Sequence, residues 1–292
     1  MTGELHTEGY YGRPIVRPPV WKQEIAWYLF TGGLAGGSSA LGLAARATGN
    51  RPLARSTTLI AAAAVTASPA LLIKDLGRPE RFMNMLRVVK PTSPMNVGTW
   101  ILTAAGTAAG TAAACEVADV LPRVRALAQG VAGLLGPALA TYTAVLVSDT
   151  AVPVWHEARR ELPFVFASGA AASAGAAAVI LTPGASAGPA RRMMLAGAAG
   201  ELASTTVMER RLGDLGEPYH SGKAGMLARV AKGATAAGAA LGAVAGRRPL
   251  LGRMAAGLVL GGAVAERFSV FRAGFQSAED PRYVVMSQRD GG

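Results

Sequence analysis

The side chains able to exchange protons or hydrogen bonds with a ligand gather in short stretches between apolar runs. Glu24, Trp27 and Tyr28 stand at the start of the first run, and Lys74, Asp75 and Arg78 follow the second. Ser93, Asn96 and Trp100 open the third. Tyr142, Ser148 and Asp149 close the fourth, with Trp155 and His156 just beyond. Tyr, Asn and His donate to a carbonyl, and a nearby carboxylate takes or gives the accompanying proton. Such a set suits an amphipathic ligand with a polar head and an apolar tail, and a quinone has that chemistry. Glu201 stands apart, near the middle of a later apolar run. An ionisable group at that depth is costly in lipid and marks a functional position by default.

A plainer reading competes at each position. Trp and Tyr also form interfacial belts, and charges also cap helices. Asp75 also has Lys74 and Arg78 as nearby ion-pair partners, and Glu201 also fits a neutral, hydrogen-bonded structural acid.

The elements that must carry these groups are membrane helices. The 292 residues are 51% hydrophobic and 16% charged, well below the roughly 25% charge of an average soluble domain. A bilayer core takes about 20 apolar residues as a helix. Five clear runs cover 25–45, 56–73, 97–115, 127–147 and 162–181, and three weaker ones cover 193–210, 226–246 and 250–267. The expected fold is an all-α integral membrane protein of eight transmembrane helices in two four-helix bundles. A polar segment, 1–24, precedes the first bundle, 25–150, which holds the polar ring. The second bundle covers 151–272, and a polar tail, 273–292, follows. Eight spans put both termini on one side, and helix parity puts the ring at that side, at one depth. Runs such as GGLAGGSS and AAGTAAGTAAA let backbones approach closely, which is how helices pack in lipid.

Much chemistry is excluded. The three histidines, His6, His156 and His220, lie outside the apolar runs, so no haem is held by two histidines in the bilayer. The single cysteine, Cys115, builds no disulfide, iron–sulfur or cysteine zinc site within the chain. Phosphate-loop, dinucleotide and HExxH motifs are lacking. No metal and no haem are therefore expected in this chain. The net charge of +11 is spread over gaps between runs and fits contact with anionic lipid, not nucleic acid. The N-terminus, MTGELHTEGYYGRPIVRPPVW, lacks the basic start and apolar core of a signal peptide, so the first helix is expected to stay.

Four blocks carry a family resemblance: 32-GGLAGGSSAL-41, 75-DLGRPERF-82, 93-SPMNVGTWIL-102, and 141-TYTAVLVSDTAVPVW-155 with 163-PFVFASGA-170. In order and spacing they resemble the NrfD/polysulfide reductase membrane-subunit family. The likeness is close over 21–170, and later only general apart from 217-EPYHSGKAG-225. It implies a haem-free subunit of eight helices in the inner (cytoplasmic) membrane, exchanging electrons with menaquinone or ubiquinone. It also implies a ferredoxin-like partner with four-iron clusters and a molybdenum or tungsten pterin catalytic subunit, as in polysulfide reductases and some formate dehydrogenases. Carried onto this chain, the quinone residues are Tyr142, Asp75, Asn96 and Ser93, with Glu24, Trp27 and His156 as further candidates. Some members place a histidine at the start of helix one. Here 22-KQEIAW-27 has none, so Glu24, Gln23 or His156 would substitute. Asp75, Asp149 and Glu201 are the proton-transfer candidates, and Arg78, Arg81 and Arg87 the docking candidates. The alternative is a secondary transporter or ion-conducting protein. Its signs are Glu201 and the echo of KDLGRP in 213-GDLGEP-218.

Overall fold

A computed structural model describes residues 16–17, 19–76, 80–246 and 248–289, and among these the regular structure is entirely helical. The helices are α1 (Gln23–Ala47), α2 (Arg51–Leu76), α3 (Glu80–Arg87), α4 (Pro94–Ala118), α5 (Pro122–Ser148) and α6 (Pro153–Glu157). They continue with α7 (Leu162–Leu181), α8 (Gly188–Leu212), α9 (Gly222–Val244), α10 (Pro249–Glu279) and α11 (Pro281–Arg289). Short 3-10 turns cover Ala158–Arg160 and Gly213–Tyr219. Proline stands in the first turn of α4, α5, α6, α7, α8 and α10. There its fixed φ suits the helix and its missing N–H costs nothing.

Among the described residues, five helices, α2, α4, α5, α7 and α10, are long and apolar enough to cross a membrane. The sequence led to an expectation of eight. Helices α1, α8 and α9 have the length, 25, 25 and 23 residues. Their composition is more polar: α1 is rich in Gly and Ser, α8 carries both Glu201 and Glu209, and α9 carries Arg229 and Lys232.

Two closed sets of contacts organise these helices. In one, α1 packs on α2 and α5, and α4 packs on α2 and α5. In the other, α7 packs on α8 and α10, and α9 packs on α8 and α10. Contacts of α1 and α5 with α7, and of α1 with α10, join them. Small residues set the spacing. A Cβ on Gly36 of α1 would collide with the Gly136 carbonyl of α5 and lie 2.8 Å from the Ala140 amide. A Cβ on Gly37 would lie 2.6 Å from the Ala170 carbonyl of α7. Without a hydrophobic push from water, this backbone proximity is the main packing gain.

The connectors carry more structure than the sequence suggested. The 74–94 connector contains α3. The segment after α5 folds into α6, which buries Trp155 completely. Trp155 is therefore a core residue. Its indole N–H donates to the Val270 carbonyl at 2.7 Å, and its ring stacks on Trp21 at 5.7 Å. The stretch after residue 273 is helical too: α10 continues to Glu279, and α11 buries Tyr283 and Val284.

A Gly36→Ala chain is expected to unfold at lower temperature than wild type in detergent, a loss of about 1–3 kcal/mol for overpacking. Gly110 has nothing within 4 Å of its would-be Cβ. Gly110→Ala is expected to leave the melting temperature unchanged or higher, and tryptophan fluorescence melts compare the two.

Candidate functional site

The first set of helices encloses a pocket of about 490 Å³, mouth included. Asp75 from α2 and Tyr142 from α5 both line it, with Tyr28 from α1 and Thr99 from α4 as further polar groups. Ile25, Leu72, Met85, Met95 and Leu146 make the rest of the wall apolar, and Trp21 closes one side. A mostly apolar wall with few polar groups is the usual character of small-molecule sites.

Local sequence explains how each polar group arrives. Tyr142 lies against Gly98 of α4, where any Cβ would overlap the phenol ring. That glycine of SPMNVGTW gives the ring its place. Neither the Tyr142 nor the Tyr28 hydroxyl is hydrogen-bonded among the described residues, and both residues are buried. Asp75 sits at the end of α2, and its Oδ1 accepts the Lys22 backbone N–H at 2.7 Å. It thereby ties the start of α1 to the end of α2. Beside it, the Lys74 ammonium stands 2.9 Å from Glu24 Oε1, a second tie between the same helix ends. Thr99 donates to the Met95 carbonyl one turn back at 2.8 Å.

Asn96 and Ser93 serve the connector. Ser93 caps α4, its hydroxyl accepting the Asn96 N–H at 3.5 Å. The Asn96 amide donates to the Met85 carbonyl at 2.8 Å and the Val88 carbonyl at 2.7 Å, and accepts the Lys90 N–H at 2.7 Å. Both amide hydrogens are thus taken, and Asn96 holds the connector that carries Met85 into the pocket wall.

Other candidates stand outside the pocket. Glu24 is committed to Lys74. Trp27 is exposed and packs edge-on against Phe30 and Phe268. His156 is exposed and shares a surface groove with Asp149, Thr150 and Ser287. Arg87 is exposed at the end of α3. Arg78 and the side chain of Arg81 lie outside the described residues. Glu201 is buried in the second set of helices. Sequence reasoning passed over Thr99, Met85 and Met95 as lining residues. Only the offset of Thr99 from Asn96, near one helical turn, hinted at it.

The family model described as Polysulphide reductase, NrfD matches residues 15–195, more than half of the chain. No curated protein matches significantly.

Replacing Asn96 by Ala removes three hydrogen bonds at a largely buried amide. Losses at such groups run about 1–3 kcal/mol, so the connector's open population is expected to rise roughly fivefold to 150-fold. Tryptic cleavage after Arg87, which is exposed, is expected to accelerate accordingly when opening is fast against cutting.

Proposed function

Since the chain belongs to the NrfD family, we propose that it is the haem-free membrane subunit of an oxidoreductase complex, exchanging electrons between a membrane quinone and an iron–sulfur partner. Five helices suited to crossing a bilayer, with the family, make it a multi-pass membrane protein. The proposed topology is eight spans in the inner membrane, with α1, α8 and α9 completing the five. The proposed division is the quinone-binding half, 25–150, and a second half, 151–272.

The observation that carries this reading is the convergence of Asp75 and Tyr142 on one largely apolar pocket. A quinone needs donors to its carbonyls, a proton acceptor beside them and an apolar enclosure. The hydroxyls of Tyr142 and Tyr28 have no protein partner among the described residues and are suited to be those donors. The pocket's carboxylate, Asp75, is suited to take the proton that leaves a quinol oxygen. The Lys22 N–H fixes one of its oxygens and leaves the other for exchange. Ile25, Leu72, Met95 and Leu146 exclude water from the ring. When bound, a quinol supplies two electrons and two protons, and its electrons leave for the partner.

The partners proposed are a ferredoxin-like subunit with four-iron clusters and a molybdenum or tungsten pterin catalytic subunit. Their docking surface is the 74–94 connector. Arg87 is exposed there, and Arg78 and Arg81 belong to the same segment. Ser93 and Asn96 shape this connector and the pocket wall together, so docking and quinone binding share one support. Asp149 and His156, together at the surface groove, are proposed to exchange protons with solvent. Glu24 and Trp27 support α1.

Tyr142→Phe removes one neutral hydrogen bond, worth about 0.5–1.5 kcal/mol net. Quinone-analogue affinity of the purified chain is expected to fall roughly twofold to tenfold. Asp75→Asn keeps an acceptor for the Lys22 N–H and removes the base. Quinol oxidation by membranes holding the whole complex is expected to slow by about 10²–10⁴-fold, with complex assembly intact. A Tyr142→Phe chain with wild-type affinity would count against the pocket as the headgroup site.

A further inference from the structure

A second cavity, about 360 Å³ with its mouth, opens among α8, α9, α10 and the Gly213–Tyr219 turn. It shares no lining residue with the Asp75–Tyr142 pocket. All its lining residues lie beyond residue 195, where the family match ends. Its wall brings together three carboxyls, Glu201, Glu209 and Glu266, with Lys232 and the Tyr219 phenol.

Two of these acids have partners. The Lys232 ammonium stands 2.5 Å from Glu209 Oε2. The Arg267 guanidinium stands 2.5 Å from Glu266 Oε2, donates to the Phe166 carbonyl at 3.0 Å, and lies 3.8 Å over the Phe166 ring. Glu201 has none. It is 3% exposed, and neither of its oxygens is hydrogen-bonded among the described residues. Arg267 comes near without closing on it: a Cβ on Gly169 would lie 2.5 Å from Glu201 Oε1 and 2.8 Å from Arg267 Nη2. Three acids against two bases leave one negative charge in surplus.

The unsatisfied atoms agree in kind. They are both Glu201 oxygens, Glu266 Oε1, Glu209 Oε1 and the Tyr219 hydroxyl. Ionised carboxylates only accept hydrogen bonds. A buried charge is paired, neutralised or bound to a metal. What the cavity lacks is therefore a donor or a cation, and a single positive charge balances it. Burial holds the Tyr219 phenol above its ordinary range, in the neutral form that offers both a lone pair and a proton. Near the opening stand His220, 58% exposed, with Nε2 3.9 Å from Glu209 Oε2, and Arg229, which donates to the His220 carbonyl at 3.3 Å. Glu209 thus stands between the surface and the cavity.

We propose that this cavity binds one small, exchangeable monovalent cation, either a proton taken up on the Glu201 carboxylate or an alkali-metal ion held beside it. Glu266, Glu209 and Tyr219 supply further oxygens, and His220 with Glu209 forms the way in. A divalent ion does not suit a surplus of one charge. The site is independent of quinone binding.

The full chain, purified in detergent, tests this with two probes. One is a pH step in choline chloride, followed by infrared difference spectroscopy in the carbonyl stretch of protonated carboxyls. The other is sodium chloride against equimolar choline chloride at fixed pH, followed by thermal unfolding, since a ligand of the folded state raises the melting temperature. A carboxyl band that responds to pH and is lost in Glu201→Gln assigns a proton. A saturable sodium-dependent rise in melting temperature, lost in Glu201→Gln, assigns an alkali-metal ion. Glu209→Gln is expected to slow exchange of either one while leaving Glu201 in place. Both signals are expected to survive Tyr142→Phe, which separates this site from the quinone pocket. A wild-type chain that answers to neither probe overturns the proposal, as do signals unchanged in Glu201→Gln.

Discussion

A helix pair in lipid gains nothing from water for coming together, so its backbones must come close enough to attract by contact alone. The rest of this molecule depends on that constraint. Where α1 crosses α5, Gly36 faces Gly136 with no room for a methyl group. Where α1 meets α7, Gly37 faces the Ala170 carbonyl. These contacts fix α1 at the centre, touching α2, α5, α7 and α10. The first pocket then opens where packing of this kind gives way to large side chains, Trp21, Tyr28, Met85 and Tyr142. Gly98 keeps the Tyr142 ring inside the wall, so the same rule that closes the bundle also shapes the cavity.

The constraint has a polar counterpart. Inside the bilayer each donor and acceptor must find a protein partner, and most do. Hydroxyls of Thr57, Thr58, Ser68 and Thr103 donate to carbonyls four residues back in their own helices. Against that background the unpartnered groups stand out. Among the described residues, Ser38, Arg125, Thr143 and Thr182 each leave one buried polar atom without a partner, and the other such atoms gather at the second cavity, on Glu201, Glu209, Glu266 and Tyr219. Carboxylate oxygens there offer acceptors to a cation. The echo between KDLGRP and GDLGEP matches this arrangement. The former brings Asp75 to the first pocket, and Tyr219, directly after the latter, lines the second.

Much of this was legible in the sequence. Apolar runs located the long helices, and DLGRPERF with SPMNVGTW indicated both the family and the region of the pocket. Asp75 and Tyr142, named from residue type and helix parity, do share one wall. What stayed hidden is instructive. Ser93 and Asn96 read as ligand-binding because their types fit a carbonyl, yet a buried amide beside an open connector meets backbone groups first. Trp155 read as interfacial because tryptophan favours that zone. Its neighbours Gly274 and Val270 lie more than 100 residues away, and no local pattern announces that they will receive it. Glu201 was legible as unusual, but its company was not. Glu266 and Glu209 look like ordinary charges until α8 and α10 bring them to one cavity.

Asp75 shows why position and chemistry are hard to separate here. Its carboxylate completes the first turn of α1 by accepting the Lys22 N–H, and the neighbouring Lys74–Glu24 pair locks the same junction. A residue with only that duty would be served by Asn or Ser, which cap helix starts about as well as Asp. The pocket beside it supplies the reason for a group that can also carry a proton. One oxygen held by the backbone gives the other a fixed direction, which is what proton transfer to a bound headgroup requires. On the proposed reading, the junction of α1 and α2 would do two things with one side chain. The connector that follows, anchored by Asn96, extends from that junction toward any partner that docks there. The bonds from Asn96 to the Met85 and Val88 carbonyls hold the segment that carries Met85 into the pocket wall.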